Sequence, residues 1–202
     1  MSVLREVIRA IRLTLLLWVL TAVIYPFLII LVGQLPFLQE QANGSLVVNL
    51  EGQTVGSALI GQAFSSDRYF ISRPSTVEYS IGKDAAPTGI SGASNLAPSN
   101  PELLKRIEAQ VSQLQDDGIQ PTSDLVYASG SGLDPHITIE AAQAQIERVA
   151  KARDLSTDEI VPLIDRYTEG RFLAIFGEPG VNVLKLNYAL DVLQTAKQQE
   201  VQ

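Results

Sequence analysis

Cysteine is absent from this 202-residue chain, and histidine, methionine and tryptophan occur once each. The missing cysteine excludes disulfides, thiol nucleophiles and thiolate-bound zinc together, so packing alone must hold the fold. A single histidine, His136, excludes multi-histidine metal sites. Basic residues are also scarce: 15 Lys and Arg face 22 Asp and Glu, for a net charge of −7. They are unevenly placed. The first twelve residues hold Arg5, Arg9 and Arg12 against Glu6 alone, which leaves 12 basic and 21 acidic residues beyond, a net −9. That body lacks the cations that neutralise phosphates, so nucleic acid is not an expected partner.

What the chain does have is one long apolar run, Leu13 to Gly33, with no charged side chain in it. As a helix rising about 1.5 Å per residue it spans roughly 30 Å, the thickness of a bilayer's hydrocarbon core. A cleaved signal peptide has a shorter apolar core and a small-x-small cleavage site; Gln34-Leu35-Pro36-Phe37 offers none. After the run no Lys or Arg occurs before Arg68, while Glu40, Glu51 and Asp67 do. Basic flanks stay inside. The expected organisation is a cytoplasmic N-terminus (1–12), a transmembrane helix (13–33) and one extracytoplasmic soluble domain (34–202). Trp18 and Tyr25 fall inside the span and read as helix-packing surface. Pro26 breaks the hydrogen-bond ladder, which is useful only where neighbouring helices can satisfy the freed carbonyl.

The domain reads as mixed α/β. Strand character marks Ser45–Leu50, Tyr69–Pro74, Leu125–Tyr127 and Phe172–Ile175, and residues 84–100 read as a long ordered loop rich in Gly, Ala, Ser, Asn and Pro. Asn100-Pro101 caps a helix that runs to Gly118, with Leu103, Leu104, Ile107, Val111 and Leu114 on one face. A second helix starts at Thr138, turning Ala142, Ile146, Val149 and Ala150 inward and Arg148 and Arg153 outward. Ser156-Thr157-Asp158-Glu159 is a capping box for a third helix, short or kinked because of Pro162. The last follows Asn182, with Val183, Leu186, Leu190 and Leu193 on one face.

Catalytic motifs are sparse. No glycine-rich loop ends in Gly-Lys-Ser/Thr, and no Asp-Lys-Thr-Gly marks a phosphorylated aspartate. His136 and Asp134 leave a serine hydrolase arithmetically open, but Gly130-Ser131-Gly132 is one residue short of a nucleophile elbow. A histidine beside Pro135 in a Gly/Ser loop is more simply a loop-fixing donor. A sensor would need an output module, and only twelve residues lie inside. A membrane-anchored hydrolase or sensor domain is therefore the alternative to an accessory protein.

Six ordered blocks resemble the C subunit of the Kdp potassium-transporting ATPase family across nearly the whole chain. They are Gly56–Gln62, Tyr69–Ser75, Ser91–Pro98, Ala128–Ile137, Gln145–Arg153 and Gly177–Asn187. Departures are small: Ala93 stands for a glycine, Ile139 for a proline, and Pro162 and Gly180 are atypical. The resemblance implies a non-catalytic subunit of an ATP-driven potassium uptake complex in a bacterial cell membrane. Its partners there are a channel-like potassium subunit, a P-type ATPase subunit and a small single-helix subunit. It is credited with assembling the complex and raising the ATPase subunit's affinity for ATP. ATP is the only cofactor implied, with nucleotide contacts proposed for the family at Gln145, Ser91, Ser94 and Asn95. No metal is implied. The charge flanks conflict with direct contact, because they put those residues across the bilayer from cytoplasmic ATP. The residues themselves favour Gln145 as a helix residue bonding a loop carbonyl, and the Gly/Ser/Asn/Pro blocks as loops shaped for docking.

Overall fold

The computed structural model describes residues 2–80 and 89–200, so part of the expected 84–100 loop lies outside the described residues. The chain divides into two compact units, 1–45 and 46–202. The first is almost entirely helix. α1 (Ser2–Val19) passes through one π-helical stretch, Leu20–Ile24, into α2 (Tyr25–Gly33), and α3 (Gln39–Ala42) follows. The 31 residues Val3–Gly33 are long and apolar enough to cross a membrane, and none is buried within the protein. A soluble core helix would be buried; this one leaves its apolar surface for another solvent. The π stretch ends where Pro26 begins to matter. Tyr25 N–H donates to Leu20 O, five residues back, which widens the helix just where the proline ring would collide with the preceding turn.

The second unit is a mixed α/β body. β1 (Leu46–Val48) and β2 (Thr54–Ser57) form an antiparallel hairpin with a register shift at Val47/Val48. Asn49 Oδ1 accepts from Glu51 N–H (3.0 Å) and Gln53 N–H (2.8 Å), fixing the turn. α4 (Pro101–Asp116) is capped by Asn100 Oδ1, which accepts from Glu102 N–H at 2.9 Å. It closes at Gly118 (φ 72°), with Ile119 N–H returning to Leu114 O. Of its expected face Leu114 is buried and Leu103, Ile107 and Val111 are half-buried, whereas Leu104 is exposed.

The remaining elements enclose the core. They are α5 (Ser123–Val126), β3 (His136–Ile137), α6 (Ile139–Gln143), α7 (Ile146–Arg153), α8 (Thr157–Arg166), β4 (Thr168–Glu169), β5 (Gly180–Asn182) and α9 (Val183–Glu200). The strands lie antiparallel in the order β3-β5-β4. Phe70, Leu125, Ile137, Val149, Ile160, Ile164, Val181, Leu186 and Leu190 pack into one cluster. Gly180 has a reason to be glycine, since a Cβ there would sit 3.1 Å from His136 Cβ across the sheet.

Three expected strands are absent. Leu125–Tyr127 is mostly the single helical turn α5, because Thr122 and Ser123 carbonyls take the Val126 and Tyr127 N–H groups. Phe172–Ile175 forms a tight turn. Tyr69–Pro74 runs extended outside any sheet. The expected second helix is split at Ala144–Gln145 into α6 and α7, though Ala142, Ile146, Val149 and Ala150 do point inward. Thr138 caps α6 by accepting from Ala141 N–H at 3.2 Å, so Ile139 at the start costs no cap.

Candidate functional site

An extended segment outside a sheet must find other partners for its backbone. For residues 68–71 these are mainly side chains from α7, its N-cap residue Gln145, and α9. Asn187 Oδ1 accepts from Phe70 N–H (2.8 Å) and its Nδ2 donates to Phe70 O (2.9 Å). Gln145 repeats the arrangement one residue on: Oε1 accepts from Ile71 N–H (2.7 Å), and Nε2 donates to Ile71 O (3.3 Å) and to Ala141 O (3.1 Å). Both amides are buried, at 0% and 1% exposure for Gln145 and Asn187. Each does for one residue what a neighbouring strand would do, and between them they serve both backbone groups of two successive residues.

The arginines expected outside complete this brace. Arg153 has a fully buried side chain; it donates to Arg68 O, to Gln194 Oε1 (2.9 Å) and to Asp191 Oδ1 (2.8 Å), and lies 4.7 Å over the Tyr69 ring. Arg148 donates to Tyr69 O (2.8 Å) and Gln145 Oε1 (3.1 Å) and faces Asp67 at 3.6 Å. Their outward placement fails because helical position says nothing about an acceptor-rich segment arriving from 80 residues away. Burial lowers the Arg148 guanidinium pKa despite Asp67. Tyr69 is raised by burial and then by Asp191, whose Oδ2 accepts its hydroxyl at 3.1 Å.

A second constellation joins the other resemblance blocks. Ser129 N–H donates to Pro74 O (2.8 Å), and the 129–132 turn receives the Ser91 loop: Ser91 Oγ (2.9 Å) and Gly92 N–H (2.8 Å) both donate to Ser131 O. Gly132 (φ 67°) cannot carry a side chain here, because a Cβ would lie 2.7 Å from Gly92 O and 2.4 Å from Val77 Cγ2. The left-handed position of the Ser91 loop is Asn95 (φ 52°), so Ala93 meets no such demand. Ser91 and Asn95 are exposed and Ser94 is half-buried.

Of the four expected nucleotide-contact residues, Ser91, Ser94 and Asn95 share one loop, and no described hydrogen bond joins Gln145 to them. The described bonds of Gln145 end on Ile71, Ala141 and Arg148, while those of residues 91–95 end on Thr76, Ser131 and Ala93.

His136 links the turn to the small sheet. Its N–H donates to Asp134 Oδ1 (3.0 Å), and its Nε2 meets Glu169 Oε2 at 3.1 Å, where a hydrolase would place a serine. Asp134 Oδ2 accepts from Arg73 (3.2 Å), which also faces Asp124 at 3.6 Å, and Glu169 Oε1 accepts from Lys185 at 2.8 Å. Burial raises the Glu169 carboxyl, but the Lys185 bond and charge, with His136, outweigh it and leave the pKa lowered. Tyr79 donates to Arg73 O, and burial pushes its phenol up to about 12. The chain of contacts fixes loops to one another. Among the described residues no group of three or more His, Asp or Glu is placed to hold a metal.

The site residues missed in the sequence were Asn187, Arg153 and Arg73. For Asn187 and Arg153, an amide or guanidinium on an otherwise apolar helix face is the available signal, since a buried polar group must be bonded; Arg73 lies outside any helix and carries no such signal.

Comparison with known proteins agrees with this scaffold of blocks. Residues 7–192 match the family model described as K+-transporting ATPase, c chain. A potassium-transporting ATPase KdpC subunit from an Anabaena strain is 61% identical over 199 residues, covering 98% of this chain and 99% of that protein. One from Synechocystis is 63% identical over 187 residues (93% and 98%), and one from Gloeobacter violaceus 47% over 192 (95% and 98%). With the family model matched over most of its length and such relatives covered almost end to end, this chain belongs to the KdpC family, the c chain of K+-transporting ATPases.

Proposed function

We propose that the chain serves as the non-catalytic accessory subunit of an ATP-driven potassium uptake pump, anchored in a bacterial plasma membrane by residues 13–33 with residues 34–202 outside. The near-complete match to potassium-transporting ATPase relatives carries this reading. Its partners are the polypeptides of the same transporter: the channel-like subunit, the P-type ATPase subunit and the small single-helix subunit. It assembles them and raises the ATPase subunit's ATP affinity indirectly. Three observations support the indirect route. The Gln145 amide is already committed to the protein's own backbone. The open cleft of about 610 Å³ beside α7 sets Asp67, Asp116, Asp117 and Glu147 against Arg148 and Lys151, a balance that repels polyphosphate. Basic flanks favour the N-terminus inside. Gln145, Ser91, Ser94 and Asn95 then act by holding docking loops in shape.

The test is ATPase kinetics of the purified complex with and without this chain. Its presence should lower half-saturating ATP about 5–150-fold, the usual scale of coupling between distant sites. Gln145→Ala should leave that value within about twofold wherever the chain remains assembled, since no nucleotide contact is lost. Micromolar ATP binding by the chain itself, abolished by Gln145→Ala with the fold intact, would restore direct contact and sink the indirect reading.

A further inference from the structure

We propose that the turn Phe172–Phe176 is a preformed apolar plug that seats in a complementary apolar pocket of a partner polypeptide of the same transporter; this deepens the accessory-subunit reading and rests on it. Phe172, Leu173, Ile175 and Phe176 are 72%, 69%, 70% and 61% exposed. Four large apolar side chains so displayed make a patch on the order of 500 Å², the size at which an exposed surface is usually functional.

The turn is built, not slack. Phe172 N–H donates to Phe176 O (2.8 Å) and Phe176 N–H to Phe172 O (2.9 Å), while Ala174 and Ile175 N–H groups return to Arg171 O and Phe172 O. Two successive non-glycine residues, Leu173 (φ 53°) and Ala174 (φ 61°), are held left-handed inside those bonds. Such backbone is costly and persists where the surroundings over-determine it, typically at clamps and recognition sites. The base is pinned as well, since Glu169 on β4 is tied to Lys185 and His136.

Shape and charge choose between occupants. A bilayer accepts apolar side chains in any arrangement, so it gives a strained turn no advantage; a pocket does. Loops that bind anionic membranes carry clustered cations. Between residues 169 and 178 there is one, Arg171, against Glu169 and Glu178, on a body of net charge −9. A protein pocket is the better match, with Phe172 and Phe176 as its aromatic anchors.

The experiment uses the full chain, tagged and co-expressed with the other transporter polypeptides. In Phe172→Ser/Ile175→Ser/Phe176→Ser, recovery of those polypeptides should fall at least about tenfold, the effect of losing one aromatic hot spot, with the chain's own melting temperature unchanged. Independently, Ile175→Cys gives a unique thiol for a photoactivatable crosslinker, irradiated in intact membranes. The expected adduct is with another subunit of the transporter. Adducts with lipid, a second copy of this chain or an unrelated protein would overturn the plug, as would undiminished recovery of the triple variant. Removing residues 46–202 separates the two ideas. If that truncation leaves the transporter fully assembled, the accessory reading fails; if it abolishes assembly and the triple variant does not, only the plug fails.

Discussion

A carboxamide can replace a neighbouring strand at one residue, because it carries a donor and an acceptor at about the separation of a peptide's own. Gln145 and Asn187 do this for two successive residues, Ile71 and Phe70. Truncating either leaves an N–H and a C=O without partners in the interior. Each orphaned group costs about 1–3 kcal/mol, so Gln145→Ala and Asn187→Ala should each destabilise the chain by about 2–6 kcal/mol. The double variant should cost less than the sum, since once the segment lifts at Phe70 it is already free at Ile71. Urea unfolding of the full chain in detergent, followed by circular dichroism, measures all three. A single-variant loss within about 0.5 kcal/mol, the size of an ordinary surface substitution, would show that the brace is ornamental. The sequence marked Gln145 as a helix residue bonding a loop carbonyl, and the structure supplies the loop: Ile71. It could not mark Arg153 as buried, because the four groups that receive it lie on segments 38 to 85 residues away, or above it as a ring.

Elements were legible where their signals are local. Asn100-Pro101, Thr138, the Ser156–Glu159 box and the Gly118 stop all stand where the caps demand. The misread strands share one cause: β-branched and aromatic residues mark apolar surface in general, and only a partner strand makes it a ladder. Phe172–Ile175 has the composition but its ends bond to each other, and Tyr69–Pro74 has the extension but bonds to side chains. The capping box of α8 carries a measurable electrostatic consequence. Glu159 bonds Lys197 from the end of α9 as well as Ser156 N–H (3.0 Å), and these bonds, the lysine's foremost, hold its pKa down at about 2. The folded value lies below the unfolded one of about 4.3, so the contribution is present in full above that pH and vanishes as pH falls toward 2. Glutamine can keep the cap but not the charge. Glu159→Gln should therefore be less stable than the parent at pH 6 and converge with it by about pH 2, read as melting temperature against pH. Parallel curves across that window would show that the Lys197 link adds nothing.

At the scale of the whole molecule, the chain separates its charges more sharply than its composition suggests. Three arginines lie in the first turns of an unburied helix, ahead of its charge-free apolar stretch, no basic residue follows that helix for the next 34 positions to Arg68, and the acidic residues lie almost wholly beyond. Loops carrying Lys and Arg resist translocation while acidic ones do not, so this pattern favours one orientation, with α1 beginning inside and the α/β unit outside. The absence of cysteine makes the orientation easy to measure. Val3→Cys and Gln120→Cys each introduce a unique thiol at an exposed position, one at the start of α1 and one beyond the end of α4. On intact cells an impermeant maleimide should label position 120 and spare position 3 until the membrane is opened. The result bears directly on mechanism. With position 120 outside, a hydrocarbon layer of about 30 Å lies between the domain and cytoplasmic ATP, and any gain in ATP affinity must pass through partner helices as a shift between their conformations. Labelling of position 3 alone would reverse the orientation, place Gln145 and the Ser91 loop on the nucleotide's side, and require the charge argument to be abandoned.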